Sequence, residues 1–282
     1  MAIALVEGLV YPECPRWHDG ALWFSDQHAG TVCAVDIRGR LSEVMRVPGR
    51  PAGLGWRPDG TMLVVSMDHH ALLAYGSGEL RPVADLSAFH PGPSNDMVVT
   101  ATGDAYIGNI GFDYYGGESP RTTGLVLVRA GSRRAIEVAE DLMVPNGMVA
   151  TGDGRHLIVA ESFAHRLTQF EIGTDGALSA RRVYADLGEH IPDGICLDAN
   201  GGIWFASVTA HAVLRVVEGG SITHRVTVGD AQAYACMLGG PDRRDLFVCT
   251  ALADDPATAV DARSGTISRF DGSVPAAGAG LP

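Results

Sequence analysis

One short pattern returns six times along this chain. It consists of a small turn motif, an apolar strand, a polar turn and a second apolar strand. It can be read at ECPRWHDGALWFSD (13–26), AGLGWRPDGTMLVVSM (52–67), NDMVVTATGDAYIGN (95–109), NGMVATGDGRHLIVAES (146–162), DGICLDANGGIWFAS (193–207) and CMLGGPDRRDLFVCT (236–250). Aligned at Glu13, Gly53, Asn95, Asn146, Asp193 and Cys236, the units are spaced by 40, 42, 51, 47 and 43 residues. That is the length of a four-stranded propeller blade. The turns inside the units, Asp19-Gly20, Asp59-Gly60, Gly103-Asp104, Asp153-Gly154 and Asn200-Gly201 among them, use residues that tolerate the positive φ of tight hairpins. Between the units lie further strand-length runs such as Thr31 to Ile37, Gly124 to Ala130 and Ala212 to Glu218, and no segment carries a convincing helical stripe. The expected fold is all-β: a six-bladed propeller with four-stranded antiparallel blades, over residues 1–272, followed by a flexible tail at 273–282. A β-sandwich would not repeat one motif at near-constant spacing.

Composition narrows the function classes. With 46% hydrophobic and 19% charged residues the chain can bury a large core. A net charge of −12 argues against a nucleic-acid partner, which requires clustered basic residues. No run is long and apolar enough to span a membrane, and no signal peptide is expected, because the first residues have no basic region and carry Glu7 and Glu13 too early. The five cysteines are far apart and contain no CxxC pair, as expected for buried thiols in a reducing compartment. Cytoplasm is the expected location, and a monomer or small homo-oligomer the expected state.

Inner strands of a propeller converge on its axis. The six aligned openings offer Glu13, Gly53, Asn95, Asn146, Asp193 and Cys236. Two carboxylates and two carboxamides on one ring form an oxygen-rich set, which hard divalent cations prefer. Any one of these residues alone would more simply be a turn cap, but four at equivalent positions weaken that reading. Cys236 is expected in the wall at the axis.

The motifs EGLVYPECPRWHDGALWFSD, PSNDMVV, VPNGMVA, IPDGICLDANGGIWFA and CMLGGPDRRDLFVCTA together resemble those of the senescence-marker-protein, gluconolactonase and luciferin-regenerating-enzyme family, in order and over almost the whole chain. The resemblance implies a six-bladed propeller with one axial divalent metal ion that opens a lactone or similar small ester. Matched motif by motif, it implies Glu13, Asn146 and Asp193 as metal ligands, Asn95 as a substrate contact beside the metal, and Asp193 as the general base. Oxygen ligands favour Ca²⁺, with Zn²⁺, Mg²⁺ or Mn²⁺ as alternatives.

Two departures bear on the substrate. Pro93 stands where the family often has an arginine that reaches sugar hydroxyls, and Met97 stands where it often has glycine. The long loop of blade three, with Phe112, Tyr114, Tyr115 and Arg121, is expected to supply a more aromatic pocket wall and to favour a less polar lactone or ester. Asp26 and Glu161, at comparable strand ends, are expected to be solvent-facing turn residues rather than partners of the axial ligands. His28 is read as a loop histidine, with the opposite channel mouth as the alternative. There is no GxSxG elbow and no HExxH. Competing readings are an organophosphate hydrolase, a non-catalytic ligand-binding propeller and a specialised non-hydrolytic enzyme on the same scaffold.

Overall fold

The computed structural model describes residues 2–271; the expected tail at 273–282 lies outside them. Six four-stranded antiparallel sheets form the blades of a propeller. Blade one contains Pro12–His18, Ala21–Asp26, Thr31–Asp36 and Leu41–Arg46 in that order from axis to rim, and blades two to five repeat the arrangement. Their inner strands are Pro51–Trp56, Ser94–Val99, Pro145–Ala150 and Pro192–Leu197, and the inner strand of blade six is Gln232–Gly239. Each inner strand packs beside the next, and that of blade six returns to that of blade one.

Blade six is assembled from both ends of the described chain. Its three strands Gln232–Gly239, Asp245–Ala251 and Gly265–Phe270 are completed on the outside by Ala2–Leu9, which pairs antiparallel from Ala2 opposite Phe270 to Leu9 opposite Gly265. This clasp was not foreseen in the repeat. A ring closed in this way turns the inner strand edges toward the channel, where they are protected from another chain.

The wedges between blades are filled by the apolar faces of neighbouring sheets. Leu22 and Phe24 of blade one, Trp204 of blade five and Phe247 of blade six share one cluster, each essentially fully buried. Removing a side chain of this size from water contributes roughly 1.5–3 kcal/mol, so the clusters are what hold the blades to one another. All five cysteines are buried and free. Among the described residues one α-helix, the short Pro256–Ala262 on a loop of blade six, is present, capped by Asp255, whose carboxylate accepts from Thr258 N. Among the described residues no helix is long and apolar enough to cross a membrane.

Candidate functional site

Every inner strand departs from regular pairing near its beginning. Register shifts fall between Glu13 and Arg16, Pro51 and Leu54, Ser94 and Met97, Pro145 and Met148, Pro192 and Ile195, and Ala233 and Ala235. A bulge bends its strand and re-aims a side chain. Repeated six times, it turns a ring of side chains toward the axis at one end of the channel. Glycine follows the ring position in three blades because neighbouring inner strands touch there: a Cβ on Gly147 would lie 2.6 Å from Ile195 N, and one on Gly53 2.4 Å from Met97 N.

Glu13, Asn95, Asn146 and Asp193, from four different blades, line one cavity of about 150 Å³ at this end. Two of the six expected ring positions are corrected. Gly53 is not the counterpart of Asn146 but of Gly147, and Ala52 occupies the ring position of blade two. Cys236 lies past the bulge of blade six, its Sγ 3.9 Å from that of Cys196 inside the wall, and Tyr234 lines the cavity in its place. Repeat spacing alone places a strand only to within a residue or two, and the bulge decides which side chain reaches the axis.

Buried polar residues at the far ends of the second strands hold the ring in place. Asp26 and Glu161 are 3% and 0% exposed, against the expectation that they face solvent. Asp26 accepts from Val10 N and Tyr11 N, fixing the approach to Glu13. Glu161 accepts from Met143 N, fixing the approach to Asn146. Ser162 links two blades: Asn146 Nδ2 donates to its Oγ (3.2 Å), which donates to Pro192 O beside Asp193 (2.7 Å).

The site's electrostatics differ from those of an ordinary ion pair. Glu13 is 6% exposed, and its carboxyl is pushed well above the usual carboxylate range, first by loss of water and then by the Asp193 charge. Asp193 keeps part of its surface open to the cavity, yet sits deep enough in the ring that burial, then Asp96, raises it to about 8, against a hydrogen bond from Asn146. Two carboxyls with this tendency to hold protons, set among two carboxamides, match the oxygen donors and the charge deficit that a hard divalent cation would satisfy. Among the described residues no three His, Cys, Asp or Glu side chains gather as a metal cluster; the fit rests on the mixed carboxylate and carboxamide set.

Beneath the site the channel is plugged. Arg16 reaches across from blade one to Leu54 O and Met97 O, and its Nη2 pairs with Asp96 Oδ1 at 2.6 Å, both side chains buried. Two larger hollows, of about 710 and 370 Å³, lie among the hairpin turns at the opposite ends of the strands. The larger contains a single carboxylate, Asp104, which accepts from Ala130 N.

The blade-three loop is placed unevenly. Tyr114 lines the cavity with Tyr115. Phe112, expected in the wall, is instead 1% exposed and packs behind Tyr114 and Phe163. Arg121, expected on the substrate, turns away: its Nε donates to Gly111 O and its Nη2 lies against Glu118. Tyr11, Tyr234 and Asp254, absent from the expected set, also line the cavity. His28 stacks on Tyr11 at 4.6 Å and its Nε2 lies 2.9 Å from Asp254 O, so it belongs to this mouth and not the opposite one.

The family model described as the SMP-30/Gluconolactonase/LRE-like region matches residues 11–252, and so takes in all four oxygen-bearing ring residues. The chain belongs to that family. It is 26% identical over 252 residues to a pentonolactonase of Haloferax volcanii, covering 88% of this chain and 84% of that one. It is 24% identical over 250 residues to a 6-deoxy-6-sulfogluconolactonase of Pseudomonas putida, covering 85% and 82%. The crystal structure of a calcium-binding protein, regucalcin, from Agrobacterium tumefaciens superposes with a TM-score of 0.80 at 22% identity, over 98% of this chain and 94% of that one, which shows a shared fold.

Proposed function

We propose that this propeller is a divalent-cation-dependent lactonase that opens a lactone or a similar small ester. The observation that carries the reading is the convergence of Glu13, Asn95, Asn146 and Asp193 on one cavity with no arginine in its lining; Arg16 beneath it only partly offsets Glu13. The names of the two enzyme relatives, both lactonases, support the same reaction class.

Glu13, Asn146 and Asp193 would hold the ion through oxygen; Ca²⁺ suits such donors best, and Zn²⁺, Mg²⁺ and Mn²⁺ are the alternatives to compare. Once bound, the cation supplies Lewis-acid polarisation of the ester carbonyl and stabilises the charge developing on its oxygen. Asp193, as carboxylate, takes the proton from a water that attacks the carbonyl carbon, and returns it to the ring oxygen as the carbon–oxygen bond breaks, leaving a hydroxy acid. Asn95 orients the substrate by hydrogen bonds beside the ion. The apolar and aromatic wall from Ile110, Tyr114 and Phe163 keeps bulk water from the reacting ester.

The test is hydrolysis of sugar, aliphatic and aromatic lactones by metal-stripped protein re-supplied with each ion. Turnover that disappears on stripping and returns with one of these ions supports the reading. Faster turnover of an organophosphate than of every lactone would replace it, and full activity after stripping would overturn it.

A further inference from the structure

Resting on the lactonase reading, we propose that Asp254 is a specificity-determining residue that makes the cavity select substrates with an uncharged, apolar body and reject anionic ones. Three charged side chains line the cavity, Glu13, Asp193 and Asp254, and all are carboxylates. The 21 basic residues of the chain are all arginines, and none lines this cavity. Two of them stand near the mouth, outside the lining: Arg50 grips Asp68 through two nitrogens at 2.8 and 2.5 Å with its Nη1 3.5 Å from His28 Nδ1, and Arg121 is bound to Gly111 O. A divalent cation between Glu13 and Asp193 offsets those two charges, which leaves Asp254 as the uncompensated charge facing an incoming substrate. A carboxylate, sulfonate or phosphate on that substrate meets a like charge and no arginine within the cavity lining, a pairing that costs binding strongly.

Asp254 is held at the mouth by contacts that cross the ring. It comes from a loop of blade six, and its partners include the loop of blade three on the far side of the axis. Tyr114 Oη donates to its Oδ2 at 3.3 Å and Tyr115 Oη to its backbone oxygen at 3.0 Å. That oxygen also faces His28 Nε2, and the next residue, Asp255, caps the helix Pro256–Ala262. The charge of Asp254 reaches into the site, since it helps to raise both Asp193 and Tyr234.

The rest of the wall suits an apolar body. Tyr11 and Tyr234 lie 4.7 Å apart on one side, and Tyr114 lies 6.1 Å from Phe163 on the other. A cavity of about 150 Å³ matches one that holds a benzene-sized ring, so a five- or six-membered lactone fills it and its substituent lies against the tyrosines. The Pseudomonas putida relative is named for a sulfonated lactone, and no arginine or lysine stands in this cavity to receive such a group.

The experiment compares Ca²⁺-loaded wild-type protein with Asp254→Asn and Asp254→Arg on three γ-lactones that share one aryl substituent: unsubstituted, carrying a carboxylate, and carrying a trimethylammonium group. Binding of the matching unreactive cyclic ketones is measured by calorimetry. Wild type is expected to favour the neutral lactone over the carboxylate by about tenfold or more in kcat/KM, mostly through KM, and to accept the ammonium compound at least as well. Asp254→Asn narrows that ratio severalfold and Asp254→Arg narrows it further; the ratio also shrinks with added salt in wild type alone. Equal use of neutral and anionic lactones by wild type, or an unchanged ratio in a folded Asp254→Asn protein, overturns the inference. If no lactone is hydrolysed but the ketones still bind with this discrimination, the inference stands and the lactonase reading fails. If the ketones bind without discrimination, the inference fails whatever the turnover.

Discussion

Buried carboxylates occur in two settings in this molecule. In the blade walls, Asp198 accepts from Arg215 Nε at 2.5 Å, from Trp204 Nε1 and from the backbone N–H groups of Asn200 and Gly202. Glu161 accepts from Arg166, Thr168 and Met143 N. Burial alone would raise both, but these donors overcome it and hold both below the ordinary carboxylate range. In the channel, Glu13 is buried and Asp193 half-buried, no arginine lines their cavity, and both are raised. The same fold thus satisfies one set of carboxylates completely and leaves the other wanting a positive charge. A carboxylate that serves structure brings its partner with it, whereas the channel pair has no arginine in its cavity, the place the proposed cation would fill.

The sharpest test of that contrast is Asp193→Ala. It should lower lactone turnover on the order of a thousandfold or more by removing both a ligand and the base, measured as kcat at saturating cation, while the melting temperature of the metal-free protein stays level or rises. In the wall the opposite is expected. Asp198→Ala strands the buried Arg215 and should cost about 3–5 kcal/mol, read as an equal loss in denaturant melts with and without cation.

The pH dependence should separate the two sets next. Asp193 holds its proton in the folded, metal-free protein up to about 8, against 3.8 for an unperturbed carboxyl. The native state therefore binds more protons than the unfolded chain across that window, and metal-free stability falls as pH rises through it. Glu161 and Asp198 act with the opposite sign: their contribution is present above the ordinary carboxylate pKa and is lost as pH falls through their lowered folded values. Saturating cation should remove the alkaline decline, with a gain of about 2.7 kcal/mol at a hundred times Kd, and leave the acid limb unchanged. A metal-free melt that strengthens from pH 5 to pH 8 would contradict this. The smallest expected effect is at Ser162, where Ser162→Ala releases Asn146 from Pro192 O. It should cost about 1 kcal/mol of stability and weaken cation binding severalfold in a titration.

Much of this architecture is legible in the chain. The Asp-Gly and Asn-Gly turns and the alternating runs mark the hairpins, and the six motifs mark the blades, because strand periodicity and turn chemistry are local. Glu13, Asn95, Asn146 and Asp193 could be aligned for the same reason, each opening an equivalent strand. The clasp of Ala2–Leu9 on Gly265–Phe270 was not legible, since an outer strand has no mark that tells which neighbour it will pair. Asp26 and Glu161 looked like turn residues because their backbone partners are brought by other segments. Phe112 and Tyr114 are two residues apart on one loop, and nothing local says which ring faces the cavity.

By itself the sequence determined the number of blades, the oxygen-bearing residue types of four inner strands and the absence of lysine. Only the tertiary structure decided that blades two and six present Ala52 and Tyr234 to the ring, that Asp254 faces the cavity and that Arg121 does not. Repeats are set by contacts between near neighbours along the chain. Which charge stands uncompensated depends on groups that meet only when the ring has closed.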